Sequence, residues 1–209
     1  MAINYPLSLP TSIGIASITL TAQNAVAISQ SPFTYAQQIV KHQGERWSAS
    51  VSLPPMLRDN AEPWVAFILS LKGQYGTFLL GDPNCKVPQG SAKTTMGTPL
   101  VNGDSQTGPT LNIDGLPTSV TGYLKAGDYI QLGASTTATL HKVLTDVDTN
   151  SSGQAILDLW PSIRTAPVDN SAVTLTNTVG KFRLSTNMQQ WQINDVSSYG
   201  ITFDCLEAI

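Results

Sequence analysis

Apolar and polar residues alternate along much of the first fifty residues, which is the period of a β-strand with one buried face. In Glu45–Leu53 every second residue is apolar: Trp47, Ala49, Val51 and Leu53. A similar alternation runs from Ile13 to Ile28, and Phe33–Val40 is a further candidate strand after a break at Ser31-Pro32. The pattern predicts an antiparallel sheet with one solvent-exposed side.

The spacing of apolar residues changes from a strand period to a helix period after Asp59. Asp59 or Asn60 offers an N-cap, and the residues after Pro63 include a dense apolar set: Trp64, Val65, Phe67, Ile68, Leu69 and Leu71. These features predict one helix over Asn60–Lys72 that is ended by Gly73 and covers the sheet. The next predicted strand is Gly76–Leu80.

Residues 87–110 are rich in Gly, Ser, Thr, Asn and Pro, and they have little periodicity, as expected near a domain boundary. A second set of strands follows: Thr110–Ile113, Asp128–Leu132, Ala138–Val147, Ala155–Trp160 and Ala172–Leu175. Their spacing is typical of a small barrel or sandwich. Three closing strands are predicted at Lys181–Leu184, Met188–Ile193 and Ser198–Leu206.

The closing strands have no helix of their own to pack on, so we expect them to rejoin the first unit. The predicted fold is therefore mainly β, with two domains. Residues 1–86 and 180–209 form a discontinuous β-sandwich or barrel domain with one helix near 60–72. Residues 87–179 form an inserted small β-barrel domain that is OB-fold-like.

The amino-acid composition disfavours several classes of function. Charged residues are 12% of the chain, about half the usual share, so few charges would have to be desolvated where copies associate. The eleven Lys and Arg form no run, which disfavours specific nucleic-acid binding. No apolar stretch approaches the roughly 20 residues that span a bilayer, and Met1–Pro10 lacks the pattern of a signal peptide. We expect Cys85 and Cys205 to be free thiols.

The sequence predicts a protein that is not an enzyme. Its only histidines, His42 and His141, fall in different units and are expected at ordinary surface or turn positions. The chain carries no Gly-rich phosphate loop, no zinc-ligand spacing and no nucleophile elbow. No residue is therefore predicted to be catalytic, cofactor-binding or metal-binding.

One loop has a competing interpretation. The oxygens of Asp146, Asp148 and Asn150 alternate as in calcium loops, but Ser151 stands where the turn glycine belongs and Leu157 where the closing Glu belongs. We favour a polar hairpin loop at Asp146–Gly153.

A second alternative concerns aromatic residues in the predicted insertion. Tyr123, Tyr129 and Trp160 are candidates for a platform on which sugar rings stack. Their alternation within strands fits core packing at least as well. Paired carboxylates for glycoside hydrolysis also stay open, because such groups meet only in space.

The order of these elements resembles the siphophage distal tail protein family, in the variety with an inserted OB-fold domain. The segments that carry the resemblance are Glu62–Tyr75, Leu124–Leu132 and Leu159–Arg164. The resemblance implies a structural virion protein at the tail tip, assembled in the host cytoplasm. It implies a homo-hexameric ring between the tail-tube protein and the tail hub or baseplate, with a lumen for DNA. The alternative function is a carbohydrate-binding module that contacts a host saccharide through the insertion.

Overall fold

The computed structural model describes residues 3–195 and 197–209. Over this part of the chain the fold is mainly β with one α-helix, as predicted. The helix α1 is Arg58–Ser70, and short 3₁₀ turns lie at Ser91–Lys93 and Ser135–Thr137. The twelve strands are β1 (Ser17–Gln30), β2 (Gln37–Ser52), β3 (Phe78–Leu80), β4 (Leu100–Val101), β5 (Gly108–Asp114), β6 (Tyr129–Leu132), β7 (Thr139–Val143), β8 (Ala155–Ile163), β9 (Val173–Thr174), β10 (Gly180–Leu184), β11 (Trp191–Ile193) and β12 (Tyr199–Glu207).

The strands form two sheets. The first has the order β1-β2-β12-β10-β3, with β11 paired to β12, so the closing strands of the chain lie beside its opening strands. The second has the order β4-β5-β8-β7-β6-β9 and comes entirely from residues 100–174. A bridge between Leu100 and Ala172 joins its two ends, so this sheet is nearly closed into a barrel. A barrel of this kind is compatible with an OB-like fold.

Each sheet has an apolar core. Helix α1 packs Trp64 and Phe67 against the first sheet, where the Trp64 ring lies 6.3 Å from that of Phe203 and Phe67 lies edge-on to Phe78 at 5.5 Å. The barrel is filled by fully buried aliphatic side chains such as Leu111, Leu157 and Ile130. The two cores meet where Tyr129 and Leu140 of the second sheet pack with the first cluster.

The helix begins earlier than predicted. Leu57 is its N-cap and makes no side-chain cap, while the amides of Asn60 and Ala61 both donate to the Leu57 carbonyl at 3.1 Å. The predicted start at Asn60 places Pro63 in the first turn, where Pro is favoured. In the structure Pro63 lies inside the helix. The helix ends at Ser70, close to the predicted terminator Gly73, which has φ of +67°.

Several strand boundaries also differ. The predicted strands 33–40 and 45–53 are one continuous strand, β2, that begins only after a turn at residues 31–36. Strand β7 ends at Val143 rather than Val147, and β11 begins at Trp191 rather than Met188. The short strand β4 lies within the segment that showed little periodicity. Two residues are too few for an alternation to be visible in sequence.

Candidate assembly surface

The most distinctive surface feature is a protruding β-hairpin, which we call the arm (residues 24–44). Strand β2 pairs with β12 only from Ser48 to Ser52, whereas β1 and β2 pair out to Gln30 and Gln37. Beyond Trp47, β1 is therefore the only strand that pairs with β2 within the described residues. At about 3.3 Å per residue, the eight steps from Glu45 to Gln37 carry the arm roughly 26 Å out.

The tip of the arm (residues 31–36) is a compact turn. The Ser31 amide donates to the Ala36 carbonyl at 3.0 Å, and the Tyr35 amide donates to the Ser31 carbonyl at 2.9 Å. The Ser31 hydroxyl accepts from the amides of Phe33 and Thr34. The turn holds two aromatic side chains in solvent, since Phe33 is 92% exposed and Tyr35 is 74% exposed.

The arm also has an apolar face. Ile28 pairs directly with Ile39, and Val26 lies two residues before Ile28, so the three side chains share one side of the ribbon. All three are exposed, as is Val40 on the other side. A two-stranded ribbon without a partner is marginally stable in water, and its free edges can pair with another chain. The arm therefore combines apolar surface with unpaired backbone.

The root of the arm is firmly anchored between the two sheets. The Trp47 indole Nε1 donates to the Leu140 carbonyl at 3.0 Å, and the Trp47 ring lies edge-on to that of Trp160 at 4.4 Å. Trp160 in turn donates to the Asn24 side chain at 2.8 Å. These contacts fix the root of the arm to both sheets.

Two buried carboxylates strengthen this anchor. Glu45 accepts from Lys41 Nζ at 2.7 Å and from the Ser162 amide at 2.7 Å, and its carbonyl accepts from Arg164. The Arg164 guanidinium also pairs with Glu207, which accepts from the Trp47 amide at 3.0 Å. Arg164 thus joins the end of β8 to the root of the arm and to the end of β12.

The environment moves the two carboxyl pKa values in opposite directions. Burial raises the pKa of Glu207 above its usual value, although Arg164 and the Trp47 amide favour its ionised form. Burial also acts on Glu45, but the hydrogen bonds from Lys41 and Ser162 outweigh it and lower the pKa of Glu45. Glu45 is therefore ionised at neutral pH.

An apolar cleft of about 550 Å³ lies at the seam between the sheets. Its apolar lining includes Leu132, Ala138, Ile163, Ala166, Pro167 and Val168. Arg164 and Lys181 supply the cationic groups of the lining, and no acidic side chain is among the described residues that form it. The cleft has the size of a typical ligand pocket, but its Val168 side chain is 75% exposed, so apolar surface continues onto the outside.

The two histidines have different environments. His42 is exposed on the arm. His141 is buried in β7, which corrects the expectation of a surface or turn position. Its Nδ1 lies 2.6 Å from the Pro161 carbonyl, which can only accept, so Nδ1 carries the proton and Nε2 accepts from Thr139 at 2.9 Å. Burial lowers the pKa of His141 to about 4.

The loop at Asp146–Gly153 connects β7 and β8. Its side-chain oxygens bond to other groups of the same chain. Asp146 pairs with Lys125 at 2.7 Å and accepts from the Ala126 amide. Asp148 accepts from the Gly122 amide at 2.6 Å, and Asn150 accepts from two amides of its own loop. Residues 3–195 and 197–209 contain no group of three or more His, Cys, Asp or Glu side chains placed to hold a metal ion.

The candidate sugar platform does not form. Tyr123 is fully buried, and its hydroxyl donates to the Met96 carbonyl at 2.6 Å. Tyr129 is buried, and Trp160 packs against Trp47. Core packing, the other interpretation, is therefore correct for Tyr123 and Tyr129, whereas Trp160 is half-buried at the edge of the core. Cys85 and Cys205 are both free thiols, as predicted.

The arm was not predicted from the sequence. The available signal was the set of apolar residues on both sides of Ser31-Pro32, but the same pattern occurs in a strand with a buried face.

No helix among the described residues is long and apolar enough to span a bilayer. No protein-family model matches this chain, and no curated protein matches it significantly.

Proposed function

We propose that this protein is a structural subunit that assembles into a closed homomeric ring, and that the ring is the distal tail ring of a long-tailed bacteriophage. The observation that carries the proposal is the anchored arm with its exposed apolar face and free backbone edges. Such a surface is an aggregation hazard in a monomer, whereas contacts between identical copies around a ring consume it.

Burial of the apolar face of the arm would contribute free energy to association. Full burial of one exposed Ile side chain contributes about 1.5–3 kcal/mol, and each copy has two such residues opposite each other at Ile28 and Ile39. In a ring, each copy meets one neighbour with its arm and receives the arm of the other. The low charge of the chain adds little desolvation cost to these contacts.

The resemblance noted in the sequence supplies the finer part of the proposal. The ring is hexameric, lies at the tail tip between the tail-tube protein and the hub or baseplate, and lets DNA pass without binding it. The slight negative charge of −3 and the scattered cations agree with a neutral conduit. The protein is structural rather than catalytic, and its inserted barrel resembles an OB fold. No observed feature favours the saccharide-binding alternative, because Tyr123 and Tyr129 are buried and the half-buried Trp160 packs against Trp47.

The test is size-exclusion chromatography with light scattering over a range of concentrations, followed by negative-stain imaging. We expect a species of several copies with a central hole, either alone or after addition of tail-tube or hub protein. A chain that stays monomeric at high concentration, and with both tail proteins present, would contradict the proposal.

A further inference from the structure

We propose that the tip of the arm docks in the apolar cleft of a neighbouring copy, so that Phe33 and Tyr35 of one subunit fill the space beside Ile163 and Val168 of the next. This inference rests on the proposed ring and names the two surfaces that meet in it.

The first reason is that each surface lacks a partner within its own chain. The aromatic side chains of the tip are largely exposed, and the cleft is open and lined mainly by apolar groups. Monomeric proteins seldom leave exposed apolar surface of this kind unless it binds something. A protruding apolar group and an apolar cavity elsewhere on the same molecule form a head-to-tail contact, which builds a ring when the rotation between copies closes.

The second reason is reach. The cleft includes Arg164, which bonds to Glu45 at the root of the arm. From Glu45 the paired strands carry the tip roughly 26 Å away, and in the structure Phe33 touches nothing that buries it. The arm therefore leads its tip away from the cleft of its own chain, and the cleft within reach belongs to another copy.

The third reason is chemical fit. The tip, from Gln30 to Gln37, carries no charge, and the cleft has no acidic lining side chain that would need a cationic occupant. Aromatic rings bury large apolar areas and tolerate a cation at their face, which suits walls that combine Ile163 and Val168 with Arg164 and Lys181. Exposed threonine side chains of the lining, Thr136 and Thr165, offer hydrogen-bonding groups for the Tyr35 hydroxyl.

Photo-crosslinking with mixed isotopes tests the contact directly. The full chain carrying p-benzoylphenylalanine in place of Phe33 is grown in ¹⁵N medium, mixed with unlabelled protein, irradiated and mapped by mass spectrometry. We expect the probe to join unlabelled peptides from residues 132–139 or 163–171. The matched control places the same probe at Tyr75, which is also exposed, and should not label these peptides.

Two substitutions supply a second measurement. Phe33→Ser and Val168→Asp each alter an exposed side chain, so the monomer should fold normally, and each should weaken self-association at least about tenfold. Ile156→Asp, on an exposed position of β8 outside the cleft, should leave association unchanged.

The outcomes separate this inference from the ring itself. Oligomers that form while the Phe33 probe labels only other sites, or only its own copy, overturn the tip-in-cleft contact and leave the ring standing. A protein that never associates, even with tail-tube and hub proteins, overturns both. Equal effects of Val168→Asp and Ile156→Asp would also contradict the inference.

Discussion

Ile28 and Ile39 lie directly opposite each other on the two strands of the arm, and they are 62% and 59% exposed. Side chains in this position on an antiparallel pair are about 5 Å apart and form one continuous surface. In the first sheet the equivalent surface is covered by helix α1, whereas on the arm nothing in the described chain covers it. The pair marks the place where the protein exposes a strand face that resembles the interior of a sheet.

The double substitution Ile28→Ser, Ile39→Ser should abolish most self-association and barely change folding. The loss of about 3 kcal/mol of apolar burial at the interface corresponds to roughly 100-fold weaker binding, while solvent-exposed side chains contribute little to the free energy of unfolding. Light scattering and urea unfolding measure the two quantities. Ile156→Ser is the control, because its side chain is 66% exposed on the barrel surface. If the control weakens association equally, the arm has no special role.

Trp47→Phe should lower the free energy of unfolding by about 2–4 kcal/mol. The change removes the indole N–H that donates to the Leu140 carbonyl and reduces the edge-on contact area with Trp160. Both effects occur at a buried site. Urea unfolding at pH 7 measures the loss. Trp191→Phe removes a half-buried indole and should cost about 1 kcal/mol or less. Equal losses would show that the root of the arm is not an energetic anchor.

Arg164→Met should destabilise the protein by about 3–5 kcal/mol, because it leaves Glu207 buried and unpaired. Burial already raises the pKa of Glu207, and loss of the cation raises it further. The folded state then binds a proton that the unfolded state releases, so the variant should regain stability as pH falls from 8 toward 5.

Urea unfolding of Arg164→Met at pH 8 and pH 5 measures this recovery. The double variant Arg164→Met, Glu207→Gln removes both charges and should be less pH-dependent over this interval and more stable at pH 8 than Arg164→Met alone. A pH-independent loss in the single variant would contradict the assigned role of the ion pair.

His141 should make the protein less stable in acid. Its pKa of about 4 in the fold lies below the usual value of 6.5, so between these values the unfolded chain binds more protons. The stabilisation is present above pH 6.5 and is lost as pH falls toward 4, with a total of about 3 kcal/mol. His141→Gln cannot titrate, and its stability should fall less over this interval. Equal acid sensitivity of the two proteins in urea unfolding would contradict the assignment.

The sequence indicated most of the fold because local periodicity reports which side chains share a face. The alternation in Glu45–Leu53 and the apolar set after Pro63 identified strand and helix, and the lack of a helix beside the closing strands placed these with the first sheet. Boundaries were less accurate. The helix begins after the N-cap Leu57, where backbone hydrogen bonds form without a capping side chain that the sequence could reveal.

The candidate surface could not be predicted in the same way. The alternation of Val26 and Ile28 is identical in a covered strand and in a free ribbon, because it records the direction of side chains and not what lies above them. The contact of Glu45 with Ser162 spans 117 residues of sequence, and that of Trp47 with Glu207 spans 160. Only the tertiary structure brings these groups together.

The sequence by itself determined a mainly β chain with one helix. The tertiary structure decided that β1 and β2 continue past their neighbours as an arm, that His141 is buried, and that a cleft stays open between the sheets. The physical reason is that periodicity follows from the geometry of one strand, whereas exposure depends on which other strands arrive beside it.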